Sequence, residues 1–253
     1  MIYSFLILAH ILADFSFQTK KLSQNKKMNI SDLIKHILIV YLTSLILTIH
    51  YFSMNLLWSL LLISVIHGFI DYSKIIFARK YENDYELELF IADQLLHILL
   101  IIVIIPFCDL QINQNILSFF IKLQRAYDWL ILLNIQRIVF ISIVASVVIF
   151  NFKGSTVVVR KTLKKYKSNL SDEGDKGKAI GNLERLLIIL FVVLGYYSLI
   201  GLLFTAKSLI RFKEIETSNM SDTFVEYYLI GSFVSIFMAI STASLINVFD
   251  YLW

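Results

Sequence analysis

The sequence is short of cross-links, of helix breakers and of charge. A single cysteine, Cys108, in 253 residues excludes an internal disulfide and any thiolate-held metal cluster. The single proline, Pro106, falls at the end of an apolar run and reads as a stop. Asp, Glu, Lys and Arg together make up only 17% of the chain. What fills the space is hydrophobic: 58% of residues, for a mean hydropathy of +0.73. That is too apolar for a soluble domain of this size and indicates an integral membrane protein. The net charge of +4 is modest, and loop topology explains it better than a nucleic-acid partner does. The first apolar run lacks an Ala-x-Ala-like cleavage site and a basic leader, and more runs follow, so a retained span is expected there.

Apolar runs of about 17–25 residues are long enough to cross the ~30 Å hydrocarbon core as helices. Seven are visible, at 2–18, 33–52, 56–77, 87–107, 128–150, 184–205 and 225–248. The expected fold is therefore all-α, a polytopic bundle of about seven spans (six to eight). Arg137 interrupts the fifth run, and 113–121 reads as an interfacial helix. Lys20, Lys21, Lys26, Lys27 and Lys35 lie between the first two runs, whereas "HYFSMN" after the second has neither Lys nor Arg. Lys74, Arg79 and Lys80 follow the third run, and residues 153–178 carry eight Lys/Arg. The positive-inside rule then puts the N-terminus outside and these loops in the cytoplasm of a bacterial inner-membrane protein. Lys207, Arg211 and Lys213 depart from that scheme. The expected organisation is a four-span unit (1–110), an amphipathic segment and fifth span (111–152), a basic cytoplasmic loop (153–182) and a two-span unit (183–253).

The polar residues inside these runs are patterned. Span one carries His10-x-x-x-Asp14, span three His67-x-x-x-Asp71, span four Asp93-x-x-x-His97, and span two opens on Asp32-x-x-x-His36. Residues four apart share a helix face. Spans running inward read His then Asp, and spans running outward read Asp then His. Reversing both direction and order keeps the same depth, so each Asp is nearer the cytoplasm and each His one turn deeper. A mid-membrane Asp costs roughly 2.5–3.5 kcal/mol on insertion scales, which favours side chains that face one another and share a cation or water. Imidazole with carboxylate suits a borderline divalent metal, Zn first, with Mn or Fe as alternatives, as one ion or two. His10, Asp14, His36, His67, Asp71, Asp93 and His97 are the candidate ligands.

Each residue has a plainer reading. The cluster could be a structural polar network joining helices. Asp32, next to Ser31, is expected first as an N-cap and otherwise as support for the ligands. His36 is read equally as interfacial, and His50, near the outer end of span two, as interfacial. Gln18 and Gln94 could donate to the ligands; Lys74 either snorkels or contacts phosphate. Glu184, Arg185, Lys207, Arg211 and Glu226 are expected as ion pairs holding the C-terminal spans. A phosphate or lipid headgroup at Arg185, Lys207 and Arg211 is the sharper alternative.

The strings "HILADFSFQ", "HGFIDYSK" and "DQLLH", with His36 between them, resemble a bacterial inner-membrane family catalogued as domain of unknown function 3307. The resemblance covers the N-terminal 100 residues or so and implies a multi-span fold with a His/Asp site, but no established reaction. More loosely, the site is similar to those of inner-membrane proteins described as metal-dependent hydrolases. The leading functional expectation is hydrolysis at the cytoplasmic leaflet, with Asp71 or Asp93 as general base and a lipid, lipid-linked phosphate or membrane peptide as substrate. A divalent-cation or proton transporter is the second. The third is a partner-binding subunit whose 153–178 loop meets anionic lipid or a cytoplasmic protein.

Overall fold

The computed structural model describes residues 1–26, 29–81, 84–127, 130, 134–164, 174–218 and 222–252, with side chains at 20, 174–176, 211–218, 222–224 and 250–252 excepted. Among the described residues there are helices and connecting turns and no strand. The chain divides into two compact units, Met1–Ser146 and Val147–Trp253.

The first unit begins with α1 (Ile2–Ile11), which runs on as a π-helical turn over Leu12–Phe17. A short α2 (Lys20–Asn25), capped by the Thr19 hydroxyl, leads to α3 (Ile30–Leu47). After a 3-10 turn at Ile49–Tyr51 come α4 (Met54–Lys80), capped by the Ser53 hydroxyl, and α5 (Glu86–Ile104), which ends in a 3-10 turn carrying Pro106. α1 packs on α3 and α5, α3 on α4, and α4 on α5, closing a four-helix arrangement. Ala9 and Ala13 are fully buried, and so small a side chain lets α1 sit close to its neighbours. Gly68 does the same between α3 and α4: a Cβ there would fall 2.3 Å from the Ile37 Cδ1.

One end of this unit is dry. Ile2, Leu6, Tyr51, Leu56, Leu60, Ile63, Ile101 and Ile105 form a buried apolar cluster. The outer faces are apolar as well. Leu38, Leu42 and Ile46 on α3, Val65, Phe69, Tyr72 and Ile76 on α4, and Leu95, Leu99 and Ile102 on α5 all stand exposed at helical spacing. Polar residues inside and hydrophobic residues outside is the arrangement a lipid solvent selects. Among the described residues, five helices are long and apolar enough to cross a membrane: Ile30–Leu47, Met54–Lys80, Glu86–Phe107, Ile135–Lys164 and Val225–Phe249. Ile2–Phe17 and Tyr197–Ile210 are shorter apolar helices. The chain is in this respect a multi-pass membrane protein.

Asn113 starts α6 (Gln114–Ala126), an amphipathic helix with no buried residue. The Asn113 backbone N–H donates to the His50 carbonyl and its amide to the Phe52 carbonyl, tying α6 to the turn after α3. α7 (Ile135–Ile149) continues through a π-helical turn at Phe150–Gly154 into α8 (Ser155–Lys164). The stretch expected as a loop over 153–182 is thus helical at both ends, because Val158 and Leu163 find buried positions in the second unit and α9 (Gly174–Val193) already starts at Gly174. Its middle, 165–173, lies outside the described residues. The run at 184–205 is two helices, α9 and α10 (Tyr197–Ser218), parted at Gly195. Gly195 has φ +76, a conformation that costs glycine nothing and ends a helix. α11 (Asp222–Leu252) packs on α8 and α9.

Candidate metal centre

Among the described residues, three overlapping groups of side chains inside the first unit could hold a metal ion, with ligand atoms within 4.8 Å of one another: His10, Asp14, His67; His36, His67, Asp71; and Asp14, Asp93, His97. All seven ligand candidates read from the sequence meet there. His36, on α3, donates its ring to the middle of the cluster and is fully buried.

The tightest convergence has four atoms. His36 Nε2 lies 3.1 Å from His67 Nε2, 3.3 Å from Asp14 Oδ1 and 3.3 Å from Asp71 Oδ2. His67 Nε2 lies 3.5 Å from Asp14 Oδ1 and 3.8 Å from Asp71 Oδ2. Atoms bound tetrahedrally at ~2.0–2.1 Å from a metal such as zinc are about 3.3 Å apart, and these five separations, 3.1–3.8 Å, lie within metal-ligand distance. Around it, the His97 ring stacks on His67 at 3.8 Å between centroids, and His10 meets both rings edge-on or tilted.

A network that served only to join helices would satisfy its members. This one leaves the Nδ1 atoms of His10, His36 and His97 buried without a hydrogen-bond partner, while Asp14 Oδ1 and Asp93 Oδ1 face imidazole nitrogens at 3.3 and 3.5 Å. Unsatisfied acceptors and imidazole nitrogens packed together are the chemistry of a cation site, and the residues fit a divalent metal.

The second tier is more organised than the sequence suggested. The Gln94 amide donates to Asp14 Oδ2 at 3.3 Å and Asp93 Oδ2 at 3.1 Å, while its oxygen faces His10 Nε2 at 3.3 Å. Lys74 donates to Asp93 Oδ2 at 2.6 Å and lies over the Phe90 ring. Gln18 caps the π-helical turn, and its Nε2 is buried without a partner. Asp32 does not join the cluster. α3 starts two residues before it with Asn29 as N-cap, so Asp32 lies in the first turn and takes a 2.7 Å bond from Lys35. His50 packs against Phe5 and Tyr51, and burial lowers its pKa below the ordinary imidazole value, with the N-terminal charge a smaller cause.

Residues 2–127 match the family model described as protein of unknown function (DUF3307). The chain belongs to this family through its N-terminal half. No curated protein and no solved structure matches. The DUF3307 match takes in all seven candidate ligands and Gln94.

One residue of this DUF3307 site escaped sequence reasoning. Lys26, counted only as a loop charge, drops its ammonium 2.7 Å from Asp71 Oδ2, with its side chain 10% exposed. Its sole signal was position, at the end of the short helix that links Asp14's span to α3.

In the second unit Arg185 and Lys207 are already engaged. Lys207 pairs with Glu184 at 2.6 Å. The buried Arg185 guanidinium donates to the Asn151 carbonyl, Ser235 Oγ, Thr156 Oγ1 and Asn182 Oδ1. The Asn151 carbonyl lies in the π-helical turn, so Arg185 bonds the backbone where the helix departs from its regular ladder. The Arg211 side chain lies outside the described residues.

Proposed function

We propose that this cluster binds a divalent metal, zinc first and manganese or iron as alternatives, and that the protein is a metal-dependent hydrolase. The observation that carries the reading is the four-atom convergence of Asp14, His36, His67 and Asp71 at metal-ligand spacing. These four residues would hold the ion, which when bound supplies Lewis acidity and a water of lowered pKa. Asp93 suits the general base. Lys74 and Gln94 fix its Oδ2, while Oδ1 faces only His97 Nε2, at 3.5 Å. A carboxylate anchored through one oxygen presents the other to a proton. Asp14, Asp93 and His97 offer room for a second ion.

The basic end of the first unit, with Lys26, Lys35, Lys74, Arg79 and Lys80, faces the cytoplasm on the positive-inside rule, in a bacterial inner membrane. Met1 and the turn at Ile49–Tyr51 then face outside. Substrate would reach the site from the cytoplasmic leaflet, as a lipid, a lipid-linked phosphate or a membrane peptide. Hydrolysis is preferred to transport because the apolar cluster from Ile2 to Ile105 fills the interior on the other side of the histidines. The small cavity there, lined by His10, His67, His97 and Ser44, has room for about one water. Segment 153–178 remains a proposed contact for anionic lipid or a cytoplasmic protein.

The test is metal content. Purified in lipid nanodiscs, the full chain is expected to carry stoichiometric zinc after loading, and His36→Ala with His67→Ala to carry none. A correctly folded wild type that binds no divalent ion would sink the reading.

A further inference from the structure

We infer that the site hydrolyses a phosphate ester and that Lys26 and Lys74 bind its phosphoryl oxygens. The inference rests on the metal reading above and narrows its substrate.

Charge is the first ground. The inner cluster holds three carboxylates, Asp14, Asp71 and Asp93, and two ammonium groups, Lys26 and Lys74. With neutral imidazoles it carries one negative charge, and a divalent ion converts that to one positive charge. A buried excess of positive charge is costly in a membrane unless an anion joins it. A neutral ester or amide adds no charge to offset it, whereas a phosphomonoester, at about −1.5 to −2 near pH 7, offsets it fully.

Placement is the second. The two ammonium groups approach from different elements, Lys26 from the end of α2 and Lys74 from α4, one turn beyond Asp71. Each donates to one carboxylate oxygen, on Asp71 and Asp93 respectively. Each bond uses one of three N–H groups on a lysine. Zinc held by Asp71 would take over the oxygen that Lys26 now faces, freeing a donor beside the ion. Lys74 is 30% exposed, at the basic end of the unit. A metal flanked by cationic donors is the arrangement that stabilises a transferring phosphoryl group. The further cations at that end, Lys21, Lys35, Arg79 and Lys80, raise the local concentration of anions.

The step balances without a further reactant. A water oxygen forms a bond to phosphorus as the bond from phosphorus to the leaving alkoxy oxygen breaks. The proton taken from the water by Asp93 ends on the released alcohol, and inorganic phosphate remains.

The experiment uses the full chain in nanodiscs with zinc at saturation and inorganic phosphate as probe, followed by phosphorus NMR. Wild type is expected to bind phosphate, and Lys26→Gln and Lys74→Gln to weaken it about tenfold or more each, with zinc content unchanged. Lys74→Arg should retain binding, which guards against a folding defect in the Gln variant. Phosphate release is then measured from a phosphomonoester lipid in the disc and from a soluble phosphomonoester. Release from the lipid alone assigns the source to the bilayer, and release from both assigns it to any phosphomonoester reaching the cytoplasmic end. Zinc binding without phosphate binding, phosphate binding unchanged in both Gln variants, or release from neither ester overturns the inference and leaves the metal reading standing. A wild type without zinc overturns both.

Discussion

At the scale of single residues, the centre is a contest for carboxylate oxygens. Lys26 occupies Asp71 Oδ2, an atom that the metal reading needs. Lys26→Met is therefore expected to tighten zinc binding, measured by competition with a chromogenic chelator. Asp71→Asn should weaken it strongly, because an amide oxygen lacks the charge that a zinc ligand supplies. The residues that converge in the cluster were legible in the sequence because ionisable side chains within apolar runs are rare and costly, and the i,i+4 spacing put each pair on one face. Lys26 was not legible. A lysine in a basic loop looks like any topology signal, and only the fold of α2 decides that this one turns inward. Gln94 was undervalued for a similar reason: an amide gains its meaning from the three partners that surround it, not from its spacing.

At the scale of elements, Gly68 sets the distance between α3 and α4. It follows His67 as Ile37 follows His36, so the glycine contact and the 3.1 Å imidazole pair are neighbours. Gly68→Ala is expected to destabilise the unit by roughly 1–3 kcal/mol through overpacking and to reduce zinc affinity. Thermal unfolding and metal titration would check this, and Ile37→Ala in the same chain should restore both. In the second unit, Arg185→Met strands the Asn151 carbonyl and is expected to cost about 1–3 kcal/mol, read by thermal unfolding. Element existence was plain from hydropathy, but element ends were not. The run at 184–205 looked continuous because leucine and isoleucine flank Gly195 on both sides, and one positive-φ glycine was enough to break it. Likewise α8 hid inside a basic segment, since its buried Val158 and Leu163 are outnumbered by cations.

At the scale of the whole molecule, orientation is open to a direct test with the chain's own chemistry. Cys108, the only thiol, follows the 3-10 turn of α5 at the end where Met1, Tyr51 and Leu110 pack together. If that end faces outside, a membrane-impermeant maleimide added to intact cells with a permeabilised outer envelope labels Cys108. Labelling only after the inner membrane is opened would reverse the assignment, and the basic end with it.

The amide of Gln94 has a consequence for hydrogen positions. Carboxylates only accept, so the nitrogen of Gln94 must be the atom facing Asp14 and Asp93, and its oxygen must face His10. That oxygen can only accept, so His10 carries its proton on Nε2. In the neutral ring Nδ1 is then a bare lone pair, buried and pointed toward Asp14 Oδ1 across 3.9 Å. Two electron-rich atoms held opposite one another by a third residue's polarity repel unless something positive stands between them. A single side-chain amide thereby fixes the sign of the gap it does not touch.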